Sequence, residues 1–138
     1  MTANPSDAEI TRLLREYRRI AVVGLSDKPN RPSYGVAAYM QDAGYGVIPV
    51  NPTIQEALGI PAVPSLQETP PPVEIVDIFR RSDDVPPVID DAITAGAKVI
   101  WLQLGIVNEE AAERARAAGM TVVQDRCLKV EHHRLLGR

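Results

Sequence analysis

Aromatic side chains are scarce in this chain: one Trp, one Phe and four Tyr, 4% of 138 residues, so Val, Ile, Leu and Ala must fill its interior. The single cysteine, Cys127, excludes an intrachain disulfide framework and fits a reducing compartment. No apolar run approaches the roughly 20 residues needed to span a bilayer. The first nine residues lack a basic segment and an apolar segment, so no signal peptide is expected and a cytoplasmic chain is. Positive charge is not in excess: 15 Lys and Arg face 18 Asp and Glu, a net charge of −3, which argues against broad nucleic-acid binding. The sequence has no Cys/His cluster with metal spacing, no G-x-x-x-x-G-K-[ST] loop and no nucleophile elbow.

What is there is strongly patterned. Apolar residues make up 45% of the chain and charged ones 24%, the mix of a globular domain, and the length suits one domain over residues 1–138. Ser6 with Glu9 reads as a capping box ahead of Ile10, Leu13, Leu14 and Tyr17 at helical spacing. Short apolar runs over 20–25, 45–50, 61–63, 73–79, 97–102 and 120–123 read as strands. A turn of helix is expected over 54–58 and another over 65–68. Longer helices are expected from Ser33 to Gly44, after a Ser82-Asp83-Asp84 cap with Val85, Val88, Ile89, Ala92 and Ile93 inward, and from Asn108 to Gly119, with a partly helical tail.

This alternation predicts an α/β, Rossmann-like, doubly wound fold: a mostly parallel sheet of about five strands in the order 3-2-1-4-5, with helices on both faces. In such a fold a ligand lies outside the carboxyl ends of the strands. Those ends gather Gly24, Ser26, Lys28, Arg31, Ser33 and Tyr34 after the first strand, and Asn51 and Pro52 after the second. Phe79, Arg80, Arg81 and Ser82 follow the strand ending near 79, and Gln103, Leu104 and Gly105 follow Trp101. A glycine turn opening into a helix suits a phosphate. It departs from G-x-G-x-x-G, having Ser26 and Pro29 at the later glycine positions.

Four cations, Lys28, Arg31, Arg80 and Arg81, fall at these ends in an acidic protein, as a polyanionic small molecule requires. The Arg pair also reads as solvated loop residues before a capped helix. NAD enzymes commonly end the second strand with an acid that holds both ribose hydroxyls. Asn51 in its place suits a phosphorylated ribose, as in NADP or coenzyme A, and equally suits a simple Asn-Pro turn.

The runs Gly24-Leu25-Ser26 through Tyr34-Gly35, Gly44-Tyr45 to Val50-Asn51-Pro52, Val76 to Arg81, Lys98 to Gly105 and Asp125-Arg126-Cys127 resemble the stand-alone CoA-binding domain proteins. They are also similar to the N-terminal domain of the succinyl-CoA synthetase α subunit and of related ADP-forming acyl-CoA synthetases. The likeness spans roughly residues 15–133. It implies a domain that binds coenzyme A, with Gly24, Ser26, Lys28 and Ser33 near the pyrophosphate and Asn51 and Pro52 near the adenosine. Arg80 and Arg81 are candidates for the 3′-phosphate.

Those synthetases use a phosphohistidine in a second domain and an ATP-grasp partner, and neither is found in these residues. His132 and His133 read as surface residues of a terminal helix, and Asp77 as a strand-edge carboxylate. Cys127 reads as a small apolar residue or as a thiol facing that of CoA. The expectation is a CoA- or acyl-CoA-binding module with no catalytic set of its own, with a homodimer or a larger acyl-CoA enzyme as partner. An NAD(P)-binding sensor or oxidoreductase domain is the competing reading.

Overall fold

The computed structural model describes residues 3–137. Five strands, β1 (Arg19–Val23), β2 (Gly46–Val50), β5 (Ile75–Ile78), β6 (Val99–Leu102) and β7 (Thr121–Val123), form one sheet in the order β2-β1-β5-β6-β7. Every neighbouring pair in it is parallel. A small hairpin, β3 (Glu56–Ala57) with β4 (Ile60–Pro61), stands apart.

Both faces of the sheet are covered. Val85, Ile89 and Ala92 of α3 (Val85–Ala95) and Ala111, Ala112 and Ala115 of α4 (Glu109–Ala117) pack on one face with Ala21, Val23, Val76 and Ile78. Ile10, Leu13 and Leu14 of α1 (Asp7–Glu16), Val36, Ala37 and Met40 of α2 (Pro32–Asp42) and Leu128 of α5 (Leu128–Leu136) pack on the other. Successive strand residues point to opposite faces, so a strand covered on both reads as a continuous apolar run.

The strand order follows the expected 3-2-1-4-5, with residue 63 beside β2, then β1, β5 and β6, and β7 outside β6. Beside β2 there is no third full strand, only a single parallel bridge, Val50 to Val63. The preceding residues pair instead in the β3–β4 hairpin, which replaces the expected helical turn over 54–58. Leu58 and Gly59 both have positive φ, 56° and 76°, the geometry of a two-residue hairpin turn. With the bridge set aside, the five full strands run 2-1-3-4-5 in chain order, which keeps a switch point between β1 and β5.

The expected capping is found at the starts of α1 and α4 but not at that of α3. Ser6 accepts from the Glu9 amide and Asn108 from the Ala111 amide, as capping predicts. Ser82 does not cap α3: residues Ser82–Asp84 form a 3₁₀ turn, and its hydroxyl accepts from the Val107 amide. Ile93, expected inward, lies 37% exposed near the end of α3.

Asp77 is the largest correction. It is not at a strand edge but in the middle of β5, between Val22 of β1 and Trp101 of β6. It is fully buried, and neither carboxyl oxygen has a hydrogen-bond partner. Burial pushes its pKa well above the usual carboxylate value, so the protonated form is favoured.

Candidate ligand site at the strand carboxyl ends

The site begins where β1 ends. Gly24 has φ +90°, and a Cβ placed on it would lie 2.4 Å from the Phe79 carbonyl oxygen and 2.7 Å from Arg80 Nη1. Only glycine lets the chain leaving β1 pass this close to the chain leaving β5. The sheet ladder continues across this point. The Gly24 amide donates to Val50 O and the Phe79 amide to Val23 O, each at 2.9 Å.

The following loop is held from within. Ser33 is buried at the start of α2, and its Oγ accepts from the Ser26 amide at 3.0 Å. Ser26 Oγ in turn accepts from the Lys28 amide at 3.1 Å. The Arg31 amide closes a turn onto Lys28 O. Folded this way, the loop leaves Lys28 and Arg31 exposed at its rim. The first turn of α2 has Pro32 at its start, no acidic residue and no side-chain cap, so the positive end of the helix faces the loop uncompensated.

Asn51 joins the second strand to this loop. Its Nδ2 donates to Leu25 O at 2.9 Å, and its Oδ1 accepts from the Thr53 amide and the Thr53 hydroxyl. An aspartate has no hydrogen to donate to that carbonyl. The amide at this position therefore has a structural cause independent of any ribose.

Four depressions adjoin along the strand ends. Gly24, Ser26, Lys28, Arg31, Pro32, Ser33 and Phe79 line the one over the Gly24–Ser33 loop, about 290 Å³. Ser26, Lys28, Asn51, Thr53 and Ile54 border a second of about 540 Å³. Pro52 and Arg80 border a narrower cleft of about 180 Å³ reaching Val23 and Val50. Phe79, Arg80 and Arg81 border the fourth. Of the residues expected at the site, the fold brings all but Tyr34 to these walls; Tyr34 lies half-buried in α2 and lines none of them.

Among the described residues, Lys28, Arg31 and Arg80 form no ion pair. Arg81 meets Asp84 at 3.4 Å and its side chain is 87% exposed, matching the solvated reading of that residue. Sequence reasoning missed Thr53, Ile54 and Ile106 as wall residues. The Asn-Pro-Thr run held a usable signal, since Asn bonding the amide two residues on is an Asx-turn pattern.

Cys127 is half-buried at the start of α5, packed against the α1/α2/α5 core, which fits its apolar reading. His133 is exposed as expected, but His132 is not a simple surface residue. Its Nδ1 pairs with the Tyr39 hydroxyl at 2.9 Å, and its ring meets those of Tyr39 and Tyr45 edge-on at 5.4 and 5.5 Å. Burial, helped by the Arg18 charge, lowers its pKa, so the neutral ring is favoured. No helix among the described residues is long and apolar enough to cross a membrane.

The chain is similar to several known proteins over nearly its whole length. It is 54% identical over 129 residues to the Bacillus subtilis (strain 168) protein YneT, covering 94% of this chain and 96% of that one. A solved hypothetical protein from Pyrococcus horikoshii OT3 superposes with a TM-score of 0.94 at 39% identity, over 99% of both chains. The dinucleotide-forming acetyl-coenzyme A synthetase 1 of Ca. Korarchaeum cryptofilum, solved with phosphate and ADP, matches with a TM-score of 0.72 at 29% identity. That match takes in 83% of this chain and 28% of the synthetase. The model of the CoA binding domain matches residues 18–133, and the chain belongs to that family.

Proposed function

We propose that the protein binds coenzyme A, free or acylated, by its adenosine and pyrophosphate, and performs no covalent chemistry of its own. The observation that carries this reading is the Gly24 crossing. It sets Arg80 against the phosphate loop, so three cations without acidic partners, Lys28, Arg31 and Arg80, border adjoining depressions in a protein of net charge −3. The pyrophosphate lies over Gly24, Ser26 and Ser33 at the α2 N-terminus. The ribose lies at Asn51 and Pro52, with Lys28 on one side and Arg80 on the other for its 3′-phosphate. Arg81, held by Asp84, contributes little.

The crevice supplies cations, hydroxyls and amides suited to binding phosphates, with the carboxylates Asp27 and Asp91 also in its walls. The strongly perturbed carboxyl, Asp77, is sealed beneath the sheet surface, out of reach of a ligand. The partner, whether a second copy or a larger acyl-CoA enzyme, is read from the mass of the complex in solution.

Calorimetric titration with CoA, dephospho-CoA, NADP and ATP in parallel tests the reading. CoA is expected to bind, and dephospho-CoA to bind about ten- to a hundredfold more weakly, the loss of one charge-assisted contact. Equal affinity for dephospho-CoA removes the 3′-phosphate assignment. Binding of NADP with CoA silent overturns the proposal in favour of a redox or sensing domain.

A further inference from the structure

The narrowest of the four depressions, about 180 Å³, runs from the carboxyl ends of β1 and β2 to α3. The last residues of those strands, with Pro52, Pro64 and Val88, make most of its lining apolar. Its polar side chains are Ser65, Arg80 and Asp91.

Two adjacent aspartates of α3 have different surroundings. Asp90 meets Arg114 at 2.9 Å, which neutralises it on the side of α4. Asp91 stands three residues beyond Val88, on the same helical face, and both line the cleft. It is half-buried and forms no ion pair among the described residues. Its one hydrogen bond there comes from Gln67 Nε2 to Oδ1, at 3.3 Å. Arg80, in the same cleft, is also without an acidic partner. A guanidinium and a carboxylate that share a narrow cleft yet stay apart suit a ligand with two chemistries. One end of it is anionic, and the other donates hydrogen bonds.

We propose that Asp91 selects the base of the ligand, its carboxylate accepting a hydrogen bond from the exocyclic amine of an adenine in this cleft. The inference rests on the reading of the crevice as a CoA site. In that reading the ribose lies at Pro52 with Arg80 beside it, and both residues line the cleft. The base is bonded directly to the ribose, so it is the part of the ligand within reach of these walls. The neighbouring depression offers it mostly polar ones, among them Ser26, Asp27, Lys28 and Thr53. A flat heterocycle is covered by Pro52, Pro64 and Val88 while its edge meets Asp91. A base with a carbonyl oxygen in place of the amine sets lone pairs against the carboxylate, which disfavours it.

The test is calorimetric titration of the whole chain with CoA and with its inosine analogue, in which oxygen replaces the adenine amine. Wild type is expected to prefer CoA by about ten- to a hundredfold, the loss of a hydrogen bond to a charged group. Asp91→Ala is expected to bind the two within about threefold of each other, CoA falling to the level of the analogue. Asp91→Asn also loses the preference, because its amide turns either an oxygen or an NH₂ group to the base. Gln67→Ala, which removes only the neighbour of Asp91, keeps it. Equal affinity of the wild type for both ligands, or a preference that survives in both Asp91 variants, overturns the assignment and leaves the CoA reading standing. A preference lost in Asp27→Ala instead puts the base in the neighbouring depression and overturns it too. Binding of neither ligand overturns the underlying reading as well.

Discussion

The side-chain amide of Asn51 donates to the carbonyl of Leu25 at 2.9 Å, which fastens the end of β2 to the first residue beyond the Gly24 turn. Through Oδ1 the same side chain also orders Thr53. One buried residue thus fixes two of the loops that frame the proposed ligand site. Asn51→Asp keeps the acceptor but sets a carboxylate against the Leu25 carbonyl. It is expected to destabilise the fold by about 1–3 kcal/mol, the range for breaking a buried hydrogen bond. Urea unfolding of the variant, read beside its CoA affinity, checks this: weaker binding with unchanged stability means that Asn51 acts on the ligand alone.

Gly24 tolerates no side chain. Alanine there meets the Phe79 carbonyl oxygen at 2.4 Å in a backbone with φ +90°. Gly24→Ala is expected to cost about 2 kcal/mol or more, from strain and from displacing the chain after β5. Thermal unfolding within a degree of wild type contradicts the close crossing.

Ser33 reaches back to the Ser26 amide at 3.0 Å and so sets the loop in front of α2. Ser33→Ala frees that amide and removes a buried acceptor, with an expected loss of about 1 kcal/mol in stability. CoA affinity is expected to fall about threefold to tenfold as the loop loosens. Ser33→Thr keeps the hydroxyl and is the rescuing control.

Asp77 gives a pH signature of definite sign. Its pKa in the fold is raised above the ordinary value of 3.8 by burial alone. The folded state therefore holds the proton more tightly than the unfolded chain. Its contribution to stability is fully present below pH 3.8 and is lost as pH rises toward the folded-state pKa. Asp77→Asn removes the titration: the variant is expected to exceed wild type in stability at pH 8, with the margin shrinking as pH falls toward 4. Urea midpoints across that range measure it, and a margin independent of pH contradicts a protonated Asp77.

Much of this architecture is legible in the residue pattern because the forces behind it are local. The runs ending at Val23, Val50, Ile78, Leu102 and Val123 are apolar on both faces, and the glycine after Val23 marks the turn into α2. Other features depend on tertiary placement. Asp77 interrupts an apolar strand, and its burial becomes visible only with β1 and β6 on either side. The β3–β4 hairpin turns on Leu58-Gly59 rather than on an Asn-Gly signal, and the short strand expected over 61–63 is reduced to one bridge at Val63. At the site, the glycine and the cations could be read directly. The amide of Asn51 could not, since its partner Leu25 lies 26 residues away in the chain.

The central claim is that CoA occupies the crevice at the strand carboxyl ends. The direct measurement is an amide shift map of the ¹⁵N-labelled chain titrated with CoA. The account predicts saturable shifts at Gly24, Ser26, Lys28 and Ser33, at Thr53, and at Phe79 and Arg80, with the amides around Tyr39 and His132 unmoved. Shifts centred on the Tyr39–His132 cluster, with the Gly24–Ser33 loop silent, would contradict it.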